Sequence, residues 1–311
     1  MRVLFWGTPE FAVSALRAIV GEGHEVVGVV TQPDRPAGRG RALKPSPVKA
    51  WALEEGYPVL TPERPEGESF LQELSALKPD ISVVAAYGHI LRPQVLELPP
   101  LGSVNIHASL LPELRGAAPV NWAIIRGHEI SGVSIMRMEE GLDSGPVLLR
   151  VEEEMGDQVT ASELYAYLAE AGALAVVAAL ALIEGGVAEE EEQDHDKATY
   201  APKIDRNTAR LDWELEASAV GRWIRGMDAV PGAWSMLDGH PVKLFWPEAD
   251  DRDPNGGDPG LILDADPAKG LRVSAGRGVV TIGEVQPEGK KRMAAADWIR
   301  GRGCEPGQRF V

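Results

Sequence analysis

The 311-residue chain holds a single cysteine, Cys304. One thiol excludes an internal disulfide framework and any cysteine-built metal site. Histidine is sparse too, six residues in all. No two stand at a ligand spacing such as H-E-x-x-H, so no metal centre is expected. Phosphate-cradling glycines are also missing. The first strand–helix turn reads Gly7-Thr8-Pro9-Glu10-Phe11, without the second and third glycines that let a backbone approach a pyrophosphate. Glu10 would repel an anion there, so a dinucleotide oxidoreductase is disfavoured. "GRGRAL" at residues 38–43 is no P-loop. A Gly-x-Ser-x-Gly elbow for a serine nucleophile is absent. No apolar run reads as approaching the roughly 20 residues that span a bilayer. The opening "MRVLFWGTPEF" reads as a strand and not as a secretory signal. A soluble, cytoplasmic protein with no membrane partner is expected.

Positive charge is short as well, with 31 Lys+Arg against 47 Asp+Glu and a net charge of −16. That balance argues at first sight against nucleic acid, and DNA is not an expected partner. The deficit is uneven, however. Residues 206–311 hold 15 Lys+Arg against 16 Asp+Glu, which leaves −15 to the first 205 residues. Two stretches run the other way. "PDRPAGRGRALKPSPVK" carries Arg35, Arg39, Arg41, Lys44 and Lys49 against Asp34 alone, and "GKKR" (Lys290, Lys291, Arg292) is followed by Arg300, Arg302 and Arg309. Each patch is either a solvated face or a phosphate-binding surface.

The first half alternates strand and helix signals. "RVLFWG", "HEVVGVVTQ", "YPVLTP", "DISVVAAYG" and "GSVNIHASL" read as strands, and "FAVSALRAIVGEG", "PVKAWALEEG" and "SFLQELSALK" as helices between them. Thr8-Pro9-Glu10 offers a helix N-cap, a first-turn proline and an early acid. "GVSIMRMEEGLDSGPVLLRVEEEM" reads as two strands around an irregular loop at 139–145, and residues 160–184 as a long Ala/Leu-rich helix. This pattern implies an α/β fold: an open, mostly parallel, Rossmann-like sheet with helices on both faces over residues 1–188. Residues 189–205, acidic and without apolar periodicity, read as a linker. From 206 to 311 one helix, "ASAVGRWIRGM", precedes short strands with glycine turns, which suggests a small OB-like β-barrel.

Ligands of open parallel sheets bind at the carboxyl ends of the strands. "NIHASLLPELRG" at 105–116 lies at such an end. Asn105 and His107, two residues apart on a strand, point to one face. "AAYGHIL" ends the preceding strand and "EEGLDSG" leaves the following one, with Asp143 as its central acid. Asp143 reads either as the holder of a tight Leu-Asp-Ser-Gly turn or as the partner of His107. His24, His89, His128, His195 and His240 read as structural or solvated. An amide, an imidazole and a carboxylate without a protein nucleophile suit acyl transfer between two bound substrates.

"NIHASLLPELRG" with the later "GLDSG" resembles the folate-dependent formyltransferases. "TQPDRPAGRG…KPSPVK", "RGAAPVNWAI", "ARLDW" and "VPGAW" extend the resemblance along the chain to the methionyl-tRNA formyltransferases. Gly226-Met227-Asp228 departs from the more aromatic stretch of that family. The resemblance implies Asn105, His107 and Asp143 as the catalytic set, with 10-formyltetrahydrofolate as co-substrate and initiator Met-tRNA as partner. It implies a folate slot from Tyr87, Gly88, His89, Ile90 and Leu91 together with Ser109, Leu110, Leu111 and Pro112. It implies tRNA contacts from Arg39, Arg41, Lys44, Lys290, Lys291 and Arg292. Two alternatives stand beside it. One is a small-molecule formyltransferase or formyl-folate hydrolase, which needs neither basic patch; the other is a non-catalytic RNA-binding protein, which needs no folate.

Overall fold

The apolar, β-branched runs form strands because each buries side chains on both faces of a covered sheet. The computed structural model describes residues 1–37, 42–254 and 256–311. Along the chain come β1 (Arg2–Gly7), α1 (Glu10–Gly21), β2 (Glu25–Val30), β3 (Arg35–Ala37), β4 (Ala42–Lys44), α2 (Pro47–Glu54) and β5 (Val59–Leu60). Then follow α3 (Glu68–Ala76), β6 (Ile81–Ala85), α4 (Pro93–Leu96), β7 (Ser103–His107), β8 (Arg115–Gly116) and α5 (Pro119–Arg126). Next are β9 (Ile130–Arg137), β10 (Val147–Glu154), α6 (Ala161–Glu184) and β11 (Tyr200–Ala201). The last are α7 (Ala217–Gly226), β12 (Trp234–Leu237), β13 (His240–Asp250), β14 (Ile262–Asp266), β15 (Gly270–Ser274), β16 (Val279–Pro287), β17 (Met293–Ala294) and α8 (Ala295–Arg300).

These elements form two units, and neither is continuous in sequence. The first holds Met1–Pro119, Ile130–Glu154 and Tyr165–Ala201; the second holds Val120–Glu129, Met155–Leu164 and Pro202–Val311. In the first unit the sheet order is β10-β9-β7-β6-β1-β2-β5. The five strands from β7 to β5 run parallel, while β9 and β10 are antiparallel additions at the β7 edge. The expected open, mostly parallel sheet is what forms. α6 lies close to β7: a Cβ at Gly172 would stand only 2.9 Å from Ile106, so the helix needs glycine at that point.

Several local expectations change. Thr8 does not cap α1; Pro9 occupies the N-cap position, and the Thr8 hydroxyl donates to the Tyr87 carbonyl at 3.0 Å. The basic stretch contains a short hairpin, β3 against β4, with Arg35 opposite Lys44. Arg39 and Arg41 lie outside the described residues. α6 corrects the reading that no run is long and apolar enough to cross a membrane, since an 18-residue window in it has a mean hydropathy of 2.1. Between Leu164 and Ile183 only Glu170 is charged, and half of that window is buried inside the protein. The acidic stretch read as a linker is laid on the first unit. Glu191 bridges Val147, and β11 pairs with β8.

In the second unit β12-β13-β16-β15-β14 form an antiparallel sheet with β17 on β16. The last residues join its outer strands, with Phe310 bridging Leu237 and Arg309 bridging Leu261. Leu244, Val280, Ile282 and Val285 face α7 residues Val220 and Ile224 in one core. Ile125 of α5 belongs to the same core. A Cβ at Gly226 would stand 2.6 Å from Ile125, and Asn121 donates to the Gly226 carbonyl at 2.7 Å.

Candidate active site

β7 brings Asn105 and His107 to one face, opposite Met136 and Ser134 of β9 respectively. Ile106 points the other way, toward Gly172 of α6. Asn105 is half-buried and His107 is 5% exposed. Beyond His107 the chain folds back on itself through hydrogen bonds. The Ser134 hydroxyl donates to the Ser109 carbonyl (2.7 Å) and accepts the Leu111 N–H (3.0 Å), while the Ser109 hydroxyl donates to the Glu113 carbonyl (2.6 Å). These bonds carry the Leu114 carbonyl to 3.0 Å from His107 Nε2. A carbonyl can only accept, so Nε2 carries the proton. In the neutral ring Nδ1 is then the free acceptor.

Nδ1 lies 3.7 Å from Asp143 Oδ2, and the Gly116 N–H donates to that same oxygen at 2.8 Å. Both readings of Asp143 therefore hold together. It sits in its turn with φ 50°, and its carboxylate meets the imidazole. The carboxylate is mostly buried, which strengthens its field at the ring.

Three residues that the sequence reading did not single out as functional complete this arrangement. Gln193, buried, donates from Nε2 to the carbonyls of Asp143 (3.0 Å) and Gly145 (2.6 Å). Its Oε1 accepts from Nε and Nη2 of Arg115, at 3.1 and 2.7 Å. Arg115 is buried too, and its Nη2 also donates to His195 Nδ1 at 3.0 Å. The chain is continuous: Arg115 fixes Gln193, Gln193 fixes the Asp143 turn, and Gly116 beside Arg115 fixes the Asp143 carboxylate. Gln193 and His195 stand in a tract of acids whose composition signals solvent, so nothing in the pattern marked them.

The remaining expected site residues divide. Tyr87 and Leu91 are buried in the core with Trp6 and Val84. The Tyr87 hydroxyl has no hydrogen-bond partner among the described residues, and burial pushes its pKa up to about 12. Gly88, His89 and Ile90 are exposed, Ile90 to 89%. Leu110 is half-buried against Gly132, whereas Leu111 packs into a core cluster with Met136 and Val147; Pro112 is half-buried. Leu111 is thus a packing residue. Lys44, Lys290 and Lys291 are exposed. Arg292 differs from them. Its guanidinium binds Asp228 (2.9 Å) and Glu284 (2.5 Å) and lies 3.9 Å from the centre of the Phe245 ring. That guanidinium is already paired inside the second unit, whereas among the described residues no ion pair holds the three lysines.

Residues 1–180 match the family model described as formyl transferase, and residues 203–303 match the formyl transferase C-terminal domain. A methionyl-tRNA formyltransferase of Thiobacillus denitrificans is 46% identical over all of this chain and 99% of its own length. One of Desulfotalea psychrophila is 43% identical over 97% of this chain and 93% of its own. Among solved structures, the N-formyltransferase of Helicobacter canadensis in complex with folinic acid and dTDP-3-aminofucose shares the fold, with a TM-score of 0.69 and 17% identity over 92% of this chain and 99% of that one. The chain belongs to the formyl transferase family, within its methionyl-tRNA formyltransferase branch.

Proposed function

We propose that Asn105, His107 and Asp143 carry the formyl transfer of this family, from 10-formyltetrahydrofolate to the α-amine of methionine on initiator tRNA, in the cytoplasm. The observation that carries this reading is the His107 ring, held at Nε2 by the Leu114 carbonyl with Nδ1 turned to Asp143. When the amine attacks the formyl carbon, negative charge develops on the formyl oxygen. The Asn105 amide is the donor suited to meet it, a role worth about 3–4 kcal/mol. The amine must also lose a proton. His107 Nδ1 takes it up, and Asp143 faces the resulting N–H and steadies its charge. The same proton then returns to the departing nitrogen of the donor. Asp143 need not be protonated at any stage.

The residues present fit a folate. Exposed Ile90 beside the open backbone of Gly88 and His89 offers an apolar face next to peptide groups. A flat heteroaromatic ring with polar edges needs both. The bound folate supplies the activated formyl carbon. For the tRNA, exposed Lys44 on the β3–β4 hairpin and Lys290 and Lys291 after β16 suit phosphate contacts, and Arg39 and Arg41 of the same basic stretch belong to this proposal. A formylation assay with formyl-folate and Met-tRNA tests the reading. Formyl-Met-tRNA is the expected product. Folate turnover with a free amino sugar or water as acceptor, and none with Met-tRNA, would point to the small-molecule alternative.

A further inference from the structure

Arg222 and Arg225 stand three residues apart on α7, hence on one side of the helix. Both line a cleft of about 300 Å³ built wholly from the second unit, together with Gly127, Glu129, Gly156 and Asp157. The Nε atoms of both arginines are shut off from solvent and have no hydrogen-bond partner among the described residues. Other arginines of this unit are paired: Arg292 with Asp228 and Glu284, Arg272 with Asp253, Arg277 with Glu216. A buried, unpaired N–H on a cation is costly, and two adjacent cations add repulsion. Burial, with the Arg222 charge beside it, pulls the Arg225 pKa below its ordinary value, against the pull of Asp157. Arg222 lies on Gly127, which has φ 73°; a Cβ there would press to 3.2–3.3 Å of its Cδ and Nε.

Two guanidinium forks without acceptors, facing a cleft, suit an anion with several oxygens. A phosphate group is such an anion. Glu129 and Asp157 line the same cleft and narrow the choice. They oppose a polyanionic backbone but accept hydrogen bonds from sugar hydroxyls. We propose that this cleft binds a small phosphorylated sugar, of the ribose phosphate or nucleoside monophosphate class, with its phosphate on Arg222 and Arg225 and its hydroxyls on Glu129 and Asp157. A ribose-phosphate unit of the tRNA itself is the other source of the same chemistry. The experiment separates the two.

Ribose 5-phosphate, inorganic phosphate and ribose are titrated into the full chain by calorimetry, with melting temperature followed in parallel, for the parent and for Arg222→Gln, Arg225→Gln and Glu129→Gln. Ribose 5-phosphate should bind saturably and raise the melting temperature, and ribose alone should not. Each arginine substitution should weaken binding about ten-fold or more. Neither should lower the melting temperature of the unliganded protein, because each removes a cation whose buried Nε has no acceptor among the described residues. Glu129→Gln should weaken ribose 5-phosphate binding and leave inorganic phosphate unaffected. Three results overturn the proposal: no saturable binding of either small phosphate, arginine variants that bind as the parent does, or unliganded arginine variants that melt well below it. Arginine variants that lose affinity for tRNA while no small phosphate binds would assign the cleft to RNA and overturn it equally.

Discussion

The segment 105–116 leaves β7 largely buried, and hydrogen bonds fix its course: His107 Nε2 with Leu114, Ser109 with Glu113 and Ser134, Gly116 with Asp143. The segment 86–91 leaves β6, the parallel neighbour on the same sheet edge, and is open from Gly88 to Ile90. Proton transfer and oxyanion stabilisation depend on fixed atoms, since a misplacement of about 1 Å can cost 10²-fold in rate. Holding a large flat ligand depends instead on surface that the free protein leaves uncovered. The two segments are built for these separate demands. Substitutions in the first should fall on kcat, and those in the second on KM.

His107→Ala is the strongest way to break that division. It should lower kcat by about two to three orders of magnitude while folate affinity, measured by calorimetry with a folate analogue, stays near the parent value. A variant keeping more than half its rate would remove His107 from the mechanism. Gln193→Ala comes next. Without the clamp on the Asp143 and Gly145 carbonyls, the carboxylate loses its fixed place beside His107, and kcat should fall roughly ten- to a hundred-fold with both KM values unchanged. Gln193→Glu keeps an acceptor for Arg115 but has no N–H for the two carbonyls, so it should not rescue. Both variants should move the pH profile of kcat, which a simple loss of folded protein would leave in place.

The sequence made one of these segments far easier to read than the other parts of the site. Period-two alternation put Asn105 and His107 on one face, and apolar runs marked β1, β2, β5, β6 and β7, because those signals are local; β3 and β4, three residues each without a β-branched side chain, left no such mark. Gln193 escaped notice because it stands in an acidic tract whose composition signals solvent, and Arg115 because its place is set by β8 pairing with β11, two residues each, too short to leave a pattern. The interleaving of the units was equally hidden. Nothing local in the sequence sets Ile125 and Asn121 apart from the first half of the chain, yet their partners are Gly226 and the core of the second unit. Asp228, which departs from the family's more aromatic stretch, is buried as the partner of Arg292.

That last pair extends the comparison to the second unit. Arg292→Ala would leave Asp228 buried without its cation and Glu284 without its partner, at a cost of about 2–3 kcal/mol. Chemical denaturation should report the loss, while salt dependence of tRNA use in the folded fraction stays as in the parent. A stable variant with a reduced salt slope would return Arg292 to the phosphate contacts. Ile90→Ala acts on the open segment. A folate covering this side chain buries apolar area that alanine lacks, so folate KM should rise about five-fold with kcat unaltered. A fall in kcat at saturating folate would mean that the 86–91 segment also positions the chemistry.

The smallest effect is expected next to Arg292, at Lys290 and Lys291. Both are exposed after β16, and no ion pair joins either to a carboxylate among the described residues. Their removal therefore costs the fold little, and the melting temperature of Lys290→Ala or Lys291→Ala should stay within a degree or so of the parent. Each lysine that meets a phosphate releases about one counterion. Its loss should lower kcat/KM for Met-tRNA about three-fold at physiological salt and reduce the slope of log(kcat/KM) against log[salt] by about one. Folate KM should not respond, because no phosphate of the tRNA is involved in that step. The double variant sharpens the test, since two separate phosphate contacts add in slope, whereas two lysines sharing one phosphate give the slope change of one. An unchanged slope in the double variant would leave the β3–β4 hairpin, with Lys44, as the basic surface that reads the tRNA backbone.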